Sequence, residues 1–141
     1  MENVTKFTSE QFTPTKFYTA ADKAKFANQF VRFVTRSFKP TLFPKWFYQR
    51  LSNTFGHIAH YDQGGFYETW FSSLNRQLAF LKRTAESEIY GDVEYTFSDV
   101  ERVLKAWVIE SGLVAQYQAA VDATVETNER AELARLQTKY S

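Results

Sequence analysis

Cysteine is absent from this chain of 141 residues. That excludes a disulfide framework, a thiolate metal centre and a cysteine nucleophile, and it fits a reducing compartment. Proline and glycine are scarce, at three and five residues, so little interrupts helical structure. Neither G-x-G-x-x-G nor G-x-x-x-x-G-K-[ST] occurs, which removes the Gly-rich phosphate cradles, and Gly64-Gly65 reads as a linker between helices. No segment approaches the roughly 20 apolar residues of a membrane span. Met1 to Ser9 also lack the basic start and apolar run of a secretory signal. A cytoplasmic protein that inserts in no membrane is expected. There is no internal repeat and no low-complexity run.

Charge of one sign is also missing overall, since the formal net charge is +1. That neutrality hides a polarity along the chain. Residues 1–60 hold nine Lys or Arg against three Asp or Glu (+6), and residues 61–141 hold eight against thirteen (−5). Such a split can mark a basic face for nucleic acid, an acidic face for a partner, or attraction between two halves of one fold.

Aromatic residues are abundant: 14 Phe, 8 Tyr and 3 Trp. Each carries a large burial area, so they predict a core made of Phe and Trp where Leu is more usual. The length is that of a single domain able to bury such a core without staples.

The periodicity predicts an all-α, single compact domain of about five helices, residues 19–141, preceded by a short extended N-terminal arm, residues 1–18. The arm carries Phe7, Phe12, Phe17 and Tyr18 and is expected to dock. Thr19 is placed to cap a helix over 19–38 whose apolar stripe is Phe26, Phe30 and Phe33; Pro40 stops it, and Pro44 opens a helix over 44–55 at its first position. Gly56 is a natural terminator there. After a turn at Asp62-Gln63-Gly64-Gly65, one amphipathic helix spans 66–86 with Tyr67, Trp70, Phe71, Leu74, Leu78 and Leu81 on one face. Val93, Tyr95 and Phe97 alternate with polar residues as a short extended piece would. Ser98 and Glu101 match the S-x-x-E capping box of a helix over 98–111 ended by Gly112, and a last helix covers 113–138.

Three constellations carry possible chemistry. Lys25, Arg32, Arg36 and Lys39, at helical offsets of seven, four and three residues, form one basic row. Lys45 and Arg50, with Lys16 and the interleaved Phe17, Tyr18, Trp46, Phe47 and Tyr48, add charge and stacking groups suited to nucleic acid or an acidic partner. His57 and His60 with Asp62, and Glu68 beyond, are the one set with metal-ligand character. They lack the H-E-x-x-H spacing and its glutamate base, so no metal-dependent enzyme is specified. The later half interleaves Tyr61, Tyr67, Tyr90, Tyr95, Tyr117 and Tyr140 with Glu86, Glu88, Asp92 and Glu94, an amphipathic set suited to a protein interface.

No nucleophile with a base and no cofactor motif is identifiable. The expectation is a non-enzymatic, cofactor-free binding protein of adaptor or inhibitor type, such as phages and plasmids carry against host defences. It would contact a protein or nucleoprotein partner. A nucleic-acid-binding domain using the basic row is the first alternative, and a metal-dependent enzyme at His57, His60 and Asp62 the second. The sparse apolar stripe of 113–138 allows a homodimer seam.

Overall fold

The computed structural model describes residues 7–55 and 62–140. Six α-helices are found among them: α1 (Ala20–Thr35), α2 (Lys45–Phe55), α3 (Gln63–Phe71), α4 (Leu74–Glu86), α5 (Ser98–Ser111) and α6 (Leu113–Tyr140). Single 3-10 turns at Ser9–Gln11 and Pro40–Leu42 complete the regular structure, and no strand occurs among the described residues. The chain is therefore all-α with an aromatic core, as its composition predicts. No helix among the described residues is long and apolar enough to cross a membrane.

Helix α1 is the centre of the body. Thr19 caps it, its hydroxyl accepting from the Asp22 amide at 3.0 Å while the Asp22 carboxylate accepts from the Thr19 amide at 2.9 Å. Phe26, Phe30 and Phe33 are buried along its inner face. Phe33 is the hub: its ring centroid lies 4.9 Å from Phe71, 5.2 Å from Phe38, 5.3 Å from Phe43 and 5.6 Å from Phe47. Rings from α1, α2, α3 and the α1–α2 connection thus meet on one residue, mostly edge to face, the arrangement the ring quadrupole favours.

The end of α1 departs from expectation. The helix stops at Thr35, not Phe38, and the cause precedes Pro40. Ser37 donates its amide to the Val34 carbonyl and Phe38 donates to the Phe33 carbonyl, with both residues in left-handed backbone at φ 62° and 58°. This is a Schellman stop in which Ser stands where Gly is usual, and the packing of Phe38 on Phe33 supplies the accompanying apolar contact. Pro40 instead opens the following 3-10 turn. Pro44 lies one residue outside α2, where its carbonyl accepts the first helical bond from Tyr48.

The single helix expected over 66–86 is two helices. Ser72 turns its hydroxyl back to the Glu68 carbonyl at 2.6 Å, and Ser73 leaves helical geometry to cap α4 by accepting from the Arg76 amide. Serine hydroxyls compete with the backbone ladder in this way. The carbonyls orphaned at the break are taken by side chains: Arg76 donates to Thr69 and Gln77 to Phe71. Gly64 and Gly65 lie inside the first turn of α3 and form no linker, because Asp62 accepts from the Gly65 amide at 2.7 Å and starts the helix early.

Two further expectations are corrected between α4 and α5. Val93 to Phe97 form turns around Asp92, whose carbonyl accepts from the amides of Tyr95 and Thr96, and not an extended piece. Ser98 is wholly buried and donates to the Gly91 carbonyl, pinning that loop, so Phe97 occupies the cap position of α5 and the S-x-x-E box does not form. Gly112 ends α5 in left-handed geometry, as expected.

The N-terminal arm docks. Phe7 and Phe12 are buried, and the Phe7 amide and carbonyl pair with the Asn28 side chain at 2.9 and 2.8 Å. A buried ion pair fastens arm, α1 and α5 together. Lys23, with no exposed surface, donates to Asp99 at 2.9 Å and to the Val93 carbonyl at 2.9 Å, and Asp99 also accepts from the Thr13 amide at 3.0 Å.

Candidate functional site

A groove of about 680 Å³ lies between the end of the arm, α1, α2 and the start of α5. Its walls are built locally before they are assembled. The Thr15 hydroxyl accepts from the amides of both Phe17 and Tyr18, at 3.1 and 2.9 Å, and the Thr15 amide donates to the Tyr18 carbonyl. This tight turn presents Phe17 to solvent with 80% of its surface exposed. Helix α1 contributes Lys25 and helix α2 contributes Trp46 and Arg50, four residues and one turn apart.

The cations lie on the rings. The Lys25 ammonium stands 4.5 Å from the Trp46 centroid, and the Arg50 guanidinium stands 4.2 Å from Phe97 and 4.7 Å from Tyr18. Each contact is attractive through the ring quadrupole, and together they hold two flexible side chains in place. No carboxylate of the described residues lies within ion-pair distance of either cation. Asp22, the acidic residue in the groove wall, is committed to the Thr19 cap. Glu101 influences Arg50 from α5. Burial pushes its carboxyl up to about 7, against the pull of Arg102 and Arg50, so near neutrality its charge only partly offsets the guanidinium.

The basic residues singled out by spacing divide into two groups. Lys25 and Arg50 are brought together in the groove with Phe17, Tyr18, Trp46 and Tyr48, whereas Phe47 turns into the core. Arg32 is exposed further along the same face of α1 as Lys25 and donates to Gln29 at 3.0 Å, and Arg36, the residue that caps the end of α1, is exposed beyond it. Lys39 is exposed but leaves the row, because the helix on which its offset was counted ends at Thr35. Lys45 is exposed at the first position of α2. Lys16 stands 5.7 Å from the Phe17 ring.

Gly56, His57, His60 and Tyr61 lie outside the described residues. Asp62 is described as the cap of α3, one carboxylate oxygen engaged by the Gly65 amide, and Glu68 is exposed on α3. No cluster of three potential metal ligands occurs among the described residues. The tyrosine and acid set of the later half is dispersed. Tyr67 donates to the Phe38 carbonyl and Tyr117 packs on Phe38, so both serve the core. Tyr90 and Tyr95 remain exposed on the α4–α5 loop with Glu88, Asp92 and Glu94, Tyr90 donating to Glu88.

Phe97 is the groove residue that sequence reading placed elsewhere, in a short extended piece, and nothing local to it signals its pairing with Arg50. Lys23 carries a signal in its spacing. It stands three, four and seven residues before Phe26, Ala27 and Phe30, a charge inside an apolar stripe, and such a charge is buried with a partner or not at all.

No protein-family model matches the chain, and no curated protein or solved structure does either.

Proposed function

We propose that this chain is a non-enzymatic binding protein whose recognition surface is the groove between the arm, α1 and α2, and that its ligand is single-stranded nucleic acid. One observation carries the reading: Lys25 and Arg50, lacking carboxylate partners among the described residues, stand among the exposed rings of Phe17, Tyr18 and Trp46 in one concavity. Single-strand binding requires cations for the phosphates and aromatic faces for unstacked bases. A duplex buries its base faces and gains nothing from the rings. The wider neighbourhood supports the choice, since residues 16–50 contain eight Lys or Arg against Asp22 alone. Composition by itself ranks a protein partner first. The convergence of Lys25 and Arg50 with exposed rings in one concavity, only half legible along the chain, reverses that order.

The test is fluorescence anisotropy of labelled single strands and duplexes of DNA and RNA, titrated at several salt concentrations. Single strands are expected to bind more tightly, with a log–log salt slope of about −0.7 per phosphate neutralised. Trp46→Ala removes a stacking face, worth about 1–3 kcal/mol, or roughly 5- to 150-fold in Kd. Arg50→Ala is expected to weaken binding and flatten the salt slope, while circular dichroism stays unchanged. Absence of binding at low salt, or affinity indifferent to both substitutions, overturns the reading.

A protein partner is supported by a different surface, the α4–α5 loop, where Tyr90 and Tyr95 are about three-quarters exposed beside Glu88, Asp92 and Glu94. An adaptor or inhibitor acting there on a basic protein surface would lose its partner on Tyr90→Ser with Tyr95→Ser and keep it on Arg50→Ala.

A further inference from the structure

Helix α6 is 28 residues long, about 42 Å at 1.5 Å per residue, and only its first third belongs to the body. Leu113 and Val121 are its buried residues, and α4 and α5 are the helices it packs on. From Asp122 to Tyr140 every side chain is exposed except Leu136, which is half-buried. About 28 Å of helix therefore stands clear of the core.

Two features of this free segment point to the same occupant. Leu133, Leu136 and Tyr140 follow Val125 by eight, eleven and fifteen residues, close to two, three and four turns, so these four exposed or half-exposed apolar residues lie on one side of the helix, with Glu129 between the first two. Charge along the segment is in two blocks. Asp122, Glu126 and Glu129 hold the first half with no cation, and Arg130, Arg135 and Lys139 hold the second against Glu132 alone.

We infer that the free half of α6 pairs with the same segment of a second copy in antiparallel orientation. A parallel pair would set acid against acid and base against base. The antiparallel pair brings each acidic block beside the partner's basic block and also opposes the two helix dipoles favourably. Full overlap of the free segments puts the midpoint at Ala131. Val125 is then within one residue of level with Leu136, Asp122 with Lys139 and Glu126 with Arg135, so the acidic block of each copy lies beside the basic block of the other. The body begins at Val121, which sets the end of the overlap. This inference is independent of the groove and its ligand.

The test uses the full chain. Sedimentation velocity from micromolar to near-millimolar protein is expected to show reversible conversion of the 16.5 kDa chain to a species of twice that mass, weakening with salt. Val125→Glu with Leu136→Glu is expected to leave a monomer throughout, with the melting curve of the body unchanged. Register is read separately, because a chain without cysteine accepts single thiols cleanly. Mixed Val125→Cys and Leu136→Cys variants, oxidised together, are expected to give the mixed disulfide over either symmetric one. A chain monomeric at the highest concentration, a dimer that survives the double glutamate variant, or a preference for symmetric disulfides would each overturn the inference.

Discussion

The body and the free half of α6 are both helical, yet they are helical for different reasons. In the body the local signals are mixed. Helix α1 ends on two left-handed non-glycine residues, and α3 and α4 are parted by two serines. What holds these elements is the ring cluster around Phe33. In the free segment there is no tertiary cover, and its helix rests on good helix formers, on continuity with a packed first third that supplies the nucleus, and on in-helix pairs such as Glu126 with Arg130 at 3.0 Å. One region is helical because it is buried; the other can be left unburied because it is helical.

The sharpest way to break that contrast is to remove one ring and one free leucine. Phe33→Ala deletes the hub of the ring cluster, and large-to-small changes of this kind cost about 3–5 kcal/mol. The upper end is expected here, because several ring pairs are lost together. Leu133→Ala, on the free half of α6, is expected to leave the urea midpoint unmoved at concentrations where the chain is monomeric. Equal effects there would mean that the segment packs on its own body.

A smaller but comparable loss is expected at the buried ion pair. Asp99→Ala leaves the Lys23 ammonium without its counter-charge and the Thr13 amide without its acceptor, and breaking a buried pair on one side costs about 3–5 kcal/mol. The counterpart is Glu126→Ala, which breaks an exposed pair on α6 and is expected to give no measurable change in melting temperature. Replacing Lys23 and Asp99 together by Met and Ala should recover part of the loss, since no charge is then stranded.

The same difference explains how far the fold and the site were legible along the chain. Where one local rule acts alone, the reading holds: the Thr19 cap, the Gly112 terminator, the stripe of α1 and the polar last helix. It fails where a side chain has two uses. Ser72 and Ser73 sit in a continuous apolar stripe, and only the availability of Arg76 and Gln77 to take the freed carbonyls makes a break tolerable. Ser98 matches a capping box but serves a loop through its buried hydroxyl. Along the chain the stop of α1 reads as Pro40's, because no glycine marks a Schellman motif at Ser37. The groove was half legible. Lys25 and Arg50 were named with their neighbouring rings, but the row containing Lys39 assumed a helix three residues too long. That Phe97 would sit on Arg50 depends on a contact across 47 residues, which no periodicity reports.

The last contrast is in the response to pH, where the two regions carry carboxyls shifted in opposite directions. Glu101, half-buried on α5, is raised to about 7 by burial. Below its ordinary value near 4.5 it is protonated whether the chain is folded or not, and it contributes nothing. Between that value and 7 the folded chain keeps a proton that the unfolded chain releases, so stability falls as pH rises, and above 7 the full penalty is present. Glu101→Gln removes the titration. In urea denaturation the variant is expected to match the parent near pH 4.5 and to exceed it at pH 8, with the gap opening across the interval between. On α6, Glu132 is lowered by its hydrogen bond from Arg135, so its contribution has the reverse sign: present above the unfolded value and lost as pH falls. Being fully exposed, it is screened, and Glu132→Gln is expected to leave the pH profile of the body unchanged. A Glu101→Gln profile parallel to the parent's would place that carboxyl in water, fully charged at neutral pH against the Arg50 guanidinium.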